Sequence, residues 1–211
     1  PPPGLEWQVR RCLRLLDPSH LEGLAAIYLQ DELPDTPVRE DQAEWLNRVC
    51  VEGLNAHVSG WYAAAGADNP AGIMLYARSI YRGIPFILHW STAPTLCLLR
   101  TLAHEVAHHL VSTRGYVFHA GEDVTDGEAL AERYAASVEQ RVVRQWRYRL
   151  GRFWLKEIAG WYYAFGNVEW REKNYQAAVR YFLNAWHLDP EHELAGYWYW
   201  RAKEMLGTGP K

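Results

Sequence analysis

Positions 104–109 read HEVAHH, set in a run that is otherwise mostly apolar: LCLLRTLA precedes it and LV follows. Residues four apart on an α-helix are separated by about 400°, so His104 and His108 fall on one face, one turn apart. Two neutral imidazoles so placed can bind one Zn²⁺. Glu105 projects toward the same side and can reach a water at the metal without ligating it, which suits it to take that water's proton. His109 is about 100° round from His108, off the ligand face, and reads as a bystander. The plainer alternative is a surface helix with chance histidines. The apolar context argues against it, because polar groups on such a helix face something internal.

Two histidines do not complete a zinc site, and a third protein ligand is needed. A histidine six residues after His108, with a glycine three residues after it, would serve. Those positions hold Arg114 and Val111, so that pattern is excluded. An acidic residue on a following helix is the other solution. Glu128 opens the helical stretch GEALAERYA, twenty residues beyond His108. Asp123 and Asp126 are the alternatives. Thr125 and Glu128 also fit a capping box, in which Glu128 would only satisfy a backbone N–H. Glu132, one turn further along the same face, is placed to accept the far N–H of a ligand histidine and fix its tautomer. Ala131 and Ala135 flank that face and would let the two helices approach closely.

Composition is consistent with a folded enzyme-sized domain. Apolar residues are 49% and charged residues 22% of the 211, enough for a sizeable core and too apolar for global disorder. A net charge of −3 calls for neither nucleic acid nor an anionic membrane surface. No run of 18 apolar residues exists, so no membrane span is expected. PPPGLEWQVRR at the start carries no apolar signal core. Cys12, Cys50 and Cys97 are far apart and odd in number, which argues against a disulfide framework and for a reducing, cytoplasmic setting.

Periodicity predicts helices over 5–16, 21–30 and 41–65, the second capped by Asp17 or Ser19. GIMLYARSIYRGIPFILHWS, 72–91, reads as a hairpin or two neighbouring strands about Arg82-Gly83. The metal-bearing helix follows, and residues 152–206 read as helical with a turn at 188–190. The expected fold class is α+β. Residues 1–150 form the metal-bearing domain, with a helical part over 1–72 and the metal-binding core over 73–150. Residues 151–211 form a helical appendage.

HEVAH followed by E-A-L-A-E-R-Y-A resembles the gluzincin zinc metallopeptidases, whose second motif often reads E-x-x-A-D/N-x-F/Y-A. HtpX-type and ImmA/IrrE-like peptidases are the nearest echoes, over about residues 73–140. The resemblance implies a zincin-like domain. It also implies zinc held by His104, His108 and Glu128, with Glu105 as catalytic base and a protein or peptide as substrate. Glu132 stands where those families usually carry Asp or Asn. The resemblance further implies that the strand before the metal helix, 84–91, is an edge strand to which an extended peptide adds. A tetrahedral intermediate needs a hydrogen-bond donor beside the metal. His119 is the candidate, with Tyr116, Tyr134 and His89 behind it. His20, His57, His187 and His192 look incidental.

AGWYYAFGNVEWREKNYQAAVRYFLNAWHLDP, 159–190, resembles a tetratricopeptide repeat at Tyr162, Phe165, Gly166, Ala178, Phe182, Ala185 and Pro190. One repeat cannot stand alone, so it buttresses the core or docks a protein partner. RVVRQWRYRLGRFWLK places Arg141, Arg144, Arg152 and Lys156 on one expected helical face. A solvated face explains that pattern better than a nucleic-acid or lipid contact. Two functions follow. One is a zinc-dependent endopeptidase, acting on a specific regulatory protein if the ImmA/IrrE-like resemblance holds. The other is a repeat-type adaptor or sensor with a non-catalytic zinc site.

Overall fold

The computed structural model describes residues 5–30, 60–65, 70–85, 88, 91–114 and 127–207. These build an α+β chain. Its elements are α1 (Leu5–Leu13), a 3₁₀ turn (Pro18–Leu21), β1 (Ala26–Gln30), β2 (Gly60–Ala63), β3 (Gly72–Tyr76), the single-turn α2 (Ala77–Ile80), α3 (Ala93–Arg114), α4 (Gly127–Val143), α5 (Trp146–Arg171), α6 (Tyr175–Leu188) and α7 (Glu193–Met205). They divide into two compact units. The first carries α1, the three strands, α2, almost all of α3, and α4; the second carries residues 82–93, α5 from Leu150 onward, α6 and α7.

The small sheet is mixed, in the order β1-β3-β2. β1 runs parallel to β3, with Ile27 opposite Ile73, and β2 runs antiparallel to it, with Tyr62 opposite Ile73. Central β3 is buried through Ile73 and Leu75, as its unbroken apolar sequence requires.

Helix α3 starts where Ser91 Oγ accepts the backbone N–H of Ala93 at 3.1 Å, and Pro94 occupies its first turn. It is buried on nearly every face: Ala93 to Leu99, Leu102, Ala103, Glu105 to Ala107, His109 and Leu110 are all inaccessible. A helix so enclosed leaves polar side chains only where another element answers them.

Several sequence expectations are corrected. The helix expected over 21–30 is a 3₁₀ turn followed by β1. Gly23 at φ +87° ends the turn in a conformation that only glycine adopts readily, and Tyr28 and its neighbours pair with β3. Residues 60–63, expected at the end of a helix, form β2; the residues before Gly60 lie outside the described residues. The turn at Arg82-Gly83 is present, with Gly83 at φ +76°. The strand expected over 84–91 is absent among the described residues: Leu88 N–H bonds back to Pro85 and Ser91 N–H to Leu88, which is turn geometry.

The chain also breaks between Val143 and Trp146, so Arg141 and Lys156 sit on different helices and the expected basic face does not form. Arg141 donates to the Leu15 carbonyl at 3.0 Å. Arg152 is buried, 2.8 Å from Asp189 and 3.1 Å from Glu191, and Lys156 lies 3.0 Å from Glu191. Of these cations only Arg152 is buried; Arg141 and Lys156 stay exposed.

In the second unit, Ala178, Phe182, Leu183, Tyr199 and Ala202 form a buried cluster, with Trp170, Trp186 and Trp198 packed against it. Gly166 matters here: a Cβ on it would stand 2.6 Å from the Phe182 ring. Phe165, beside it, is 54% exposed. Gly166→Ala gains about 1 kcal/mol of helix propensity but overpacks against a buried ring at a cost of about 1–3 kcal/mol. The expected net effect, read by urea unfolding, is destabilisation. A more stable variant would contradict the packing.

Candidate metal centre

Two ridges of α3 organise the site. Arg100, His104 and His108 recur every four residues and meet α4; Thr101, Glu105 and His109 form the adjacent ridge and meet β2. On the first ridge the Nε2 atoms of His104 and His108 lie 3.1 Å apart. The Glu128 carboxylate spans them, Oε2 being 3.2 Å from His104 Nε2 and Oε1 3.3 Å from His108 Nε2. Donor atoms around one tetrahedral zinc are separated by about 3.3 Å, so the donor set fits that ion in both type and spacing.

Glu132 answers the other nitrogen of His104. Its Oε1 lies 3.4 Å from Nδ1, and its Oε2 accepts from Arg100 Nη2 at 2.7 Å. A carboxylate on Nδ1 holds the proton there and leaves the Nε2 lone pair for a metal. Arg100 also reaches the buried Glu139 at 3.4 Å.

Charge in the cluster favours a cation. Three carboxylates, Glu105, Glu128 and Glu132, surround two imidazoles. Burial pulls the His104 imidazolium down, but hydrogen bonds to Glu128 and Glu132 and the charge of Glu105 outweigh it and push the group up to about 10. Hydrogen bonds from His104 and His108 hold Glu128 well below the usual carboxylate range, and that from His104, with Arg100 beside it, does the same for Glu132. Glu105 differs. It is 6% exposed, and burial pushes its carboxyl up to about 7, against the pull of His104, His108 and the backbone N–H of Tyr62.

His104, His108 and Glu128 are therefore brought together, with Glu132 on the far nitrogen of His104 and Glu105 buried next in sequence. His119, Tyr116, His89, Asp123, Asp126 and the Thr125 cap lie outside the described residues. Tyr134 is present, with its hydroxyl 2.7 Å from His20 Nδ1, so His20 is a packing partner rather than an incidental residue. Cys12 is buried, its thiol pushed up to about 12 by that burial and bonded to the Thr95 carbonyl. That is not the environment of a metal-ligating thiolate.

Sequence reasoning missed Gly60. A Cβ there would stand 2.9 Å from Glu105 Cγ and Oε1 and from Thr101 Cγ2, so β2 passes directly over the Glu105 side chain. The available signal was a glycine before the aromatic pair Trp61-Tyr62, since an internal strand glycine marks close backbone approach. Arg100 was also missed, although it precedes His104 by four residues.

Set against protein-family models, curated proteins and solved structures, the chain matches none.

Glu132→Ala is expected to weaken zinc binding about 10–100-fold in a chelator competition. Gly60→Ala, which touches no donor atom, is expected to keep zinc while losing about 1–3 kcal/mol of stability. Equal zinc affinity in Glu132→Ala and wild type would contradict the role given to Glu132.

Proposed function

We propose that this chain is a zinc-dependent endopeptidase acting on a protein or peptide substrate. One observation carries the reading: the Nε2 atoms of His104 and His108 and the Glu128 carboxylate converge within hydrogen-bonding distance of one another, with the buried Glu105 at the next position of the same helix. His104, His108 and Glu128 would hold the ion, which supplies Lewis acidity when bound, polarising a carbonyl and acidifying water.

The rest is done by the chain. Glu105 takes the proton of the attacking water and returns it to the leaving amine nitrogen, so the same carboxylate serves as base and then as acid. Its burial suits that exchange, because a carboxyl with a value near neutrality gives up and regains a proton without a large penalty. Glu132, steadied by Arg100, keeps His104 in one tautomer. The motif HEVAH with Glu128 supports a gluzincin-type assignment, and the α+β architecture is compatible with a zincin-like domain. The helical second unit supports a repeat-like role as buttress or partner surface. Among the described residues no helix is long and apolar enough to cross a membrane.

A second reading has its own support. Trp154, Trp161, Phe165 and Val168 are exposed along α5, a feature an adaptor would use to hold an apolar segment of a partner protein, with the zinc site non-catalytic. Glu105→Gln separates the two. The endopeptidase keeps zinc and loses at least about 10²-fold in kcat on a peptide library. Unchanged turnover in a zinc-loaded Glu105→Gln would remove Glu105 from the chemistry.

A further inference from the structure

The third histidine of HEVAHH has no part in the zinc reading, yet it is fully buried, at 0% exposure. Its Nε2 lies 2.9 Å from the carbonyl oxygen of Glu22, and its Nδ1 lies 3.2 Å from the Tyr62 hydroxyl. A carbonyl only accepts, so Nε2 carries the proton and donates. Nδ1 then presents its lone pair and accepts from Tyr62. Gly23, at φ +87°, brings its backbone against the ring, with a would-be Cβ 3.7 Å from His109 Cε1. Arg114 secures the same loop from α3, donating to Ser19 O at 2.6 Å and to Glu22 Oε2 at 2.7 Å.

Tyr62 belongs to β2, four residues long and at the edge of its sheet. Gly60 and Tyr62 are two apart and so share one face of the strand. Gly60 lies on Glu105, and Tyr62 reaches His109, one turn along the same α3 ridge. A glutamate side chain has three torsions to fix, and a short strand that pairs, among the described residues, on one side only is a weak support for it. A displacement of about 1 Å at a reacting group costs up to about 10²-fold in rate.

We propose that His109 and Tyr62 are a positioning pair: His109, anchored to the Glu22 carbonyl, holds strand β2 through the Tyr62 hydroxyl, and β2 in turn holds the Glu105 side chain through the close approach of Gly60. This rests on the reading of Glu105 as the proton carrier. Neither residue is among the candidate metal donors. It converts the hydrophobic placement of one histidine into a fixed orientation for the side chain four residues before it.

The test uses Tyr62→Phe and His109→Asn in the full chain. Hydrogen exchange of the amide at position 62 is followed by NMR in metal-free protein, and kcat and KM are measured in zinc-loaded protein. Both variants are expected to bind one zinc, to exchange the position-62 amide about 10-fold faster, and to lose about 10-fold in kcat with KM unchanged. Thr113→Val is the control for general loss of stability. It removes the hydrogen bond of Thr113 to the His109 carbonyl, 2.7 Å, without touching β2, and should move neither readout. Position-62 exchange unchanged in Tyr62→Phe and in His109→Asn overturns the proposal, as does a kcat loss that only tracks the unfolded fraction. A wild type that cleaves nothing sinks the peptidase reading instead. The exchange arm then decides alone whether the pair holds β2.

Discussion

Everything in the first unit depends on one helix being enclosed on almost all sides while carrying charged and ring-nitrogen side chains. Burying such groups without partners costs several kcal/mol each, so the neighbours of α3 are constrained as strongly as α3 itself. The solution is two parallel ridges. Arg100, His104 and His108 are answered by Glu132, Glu139 and Glu128 of α4. Thr101 and Glu105 are met by Gly60 of β2, and His109 by the Tyr62 hydroxyl. One ridge gathers the candidate metal donors, and the other carries the buried carboxyl proposed as the proton carrier.

The same constraint explains what could be read from the sequence. The i, i+4 spacing of His104 and His108, and the position of Glu128 at the head of the next helix, follow from helical geometry alone, so these residues were legible. Glu132 was legible for the same reason. After residue 90 the start of α3 and the turn at 188–190 were legible, because the pattern there is local, but the breaks at 144–145 and at 172–174, where Lys173 takes φ 60°, were not.

What was not legible depends on tertiary pairing. AIYLQ and GWYA sit in stretches that scan as helix, and only the partner strand GIMLY decides otherwise. Strand propensity is a fit to a pleated, half-buried surface, and no single segment announces which surface it will meet. Gly60 was invisible as a functional residue because its importance is the absence of a side chain beneath which Glu105 can lie. His109 was misjudged for a related reason: off the ligand face is not off the protein, and its buried ring is bonded to the Glu22 carbonyl and the Tyr62 hydroxyl. The basic stretch around residue 150 was read as one solvated helical face, but Arg141 and Lys156 lie on different helices and Arg152 is buried against Asp189.

The most direct measurement is zinc X-ray absorption on the purified chain together with metal content. The account predicts one zinc per chain, in a shell of two imidazole nitrogens and carboxylate oxygen with no sulfur, and loss of the imidazole scattering when His104 and His108 are both replaced. A purified chain that takes up no zinc, or a shell that keeps its two imidazoles in that double variant, would contradict it.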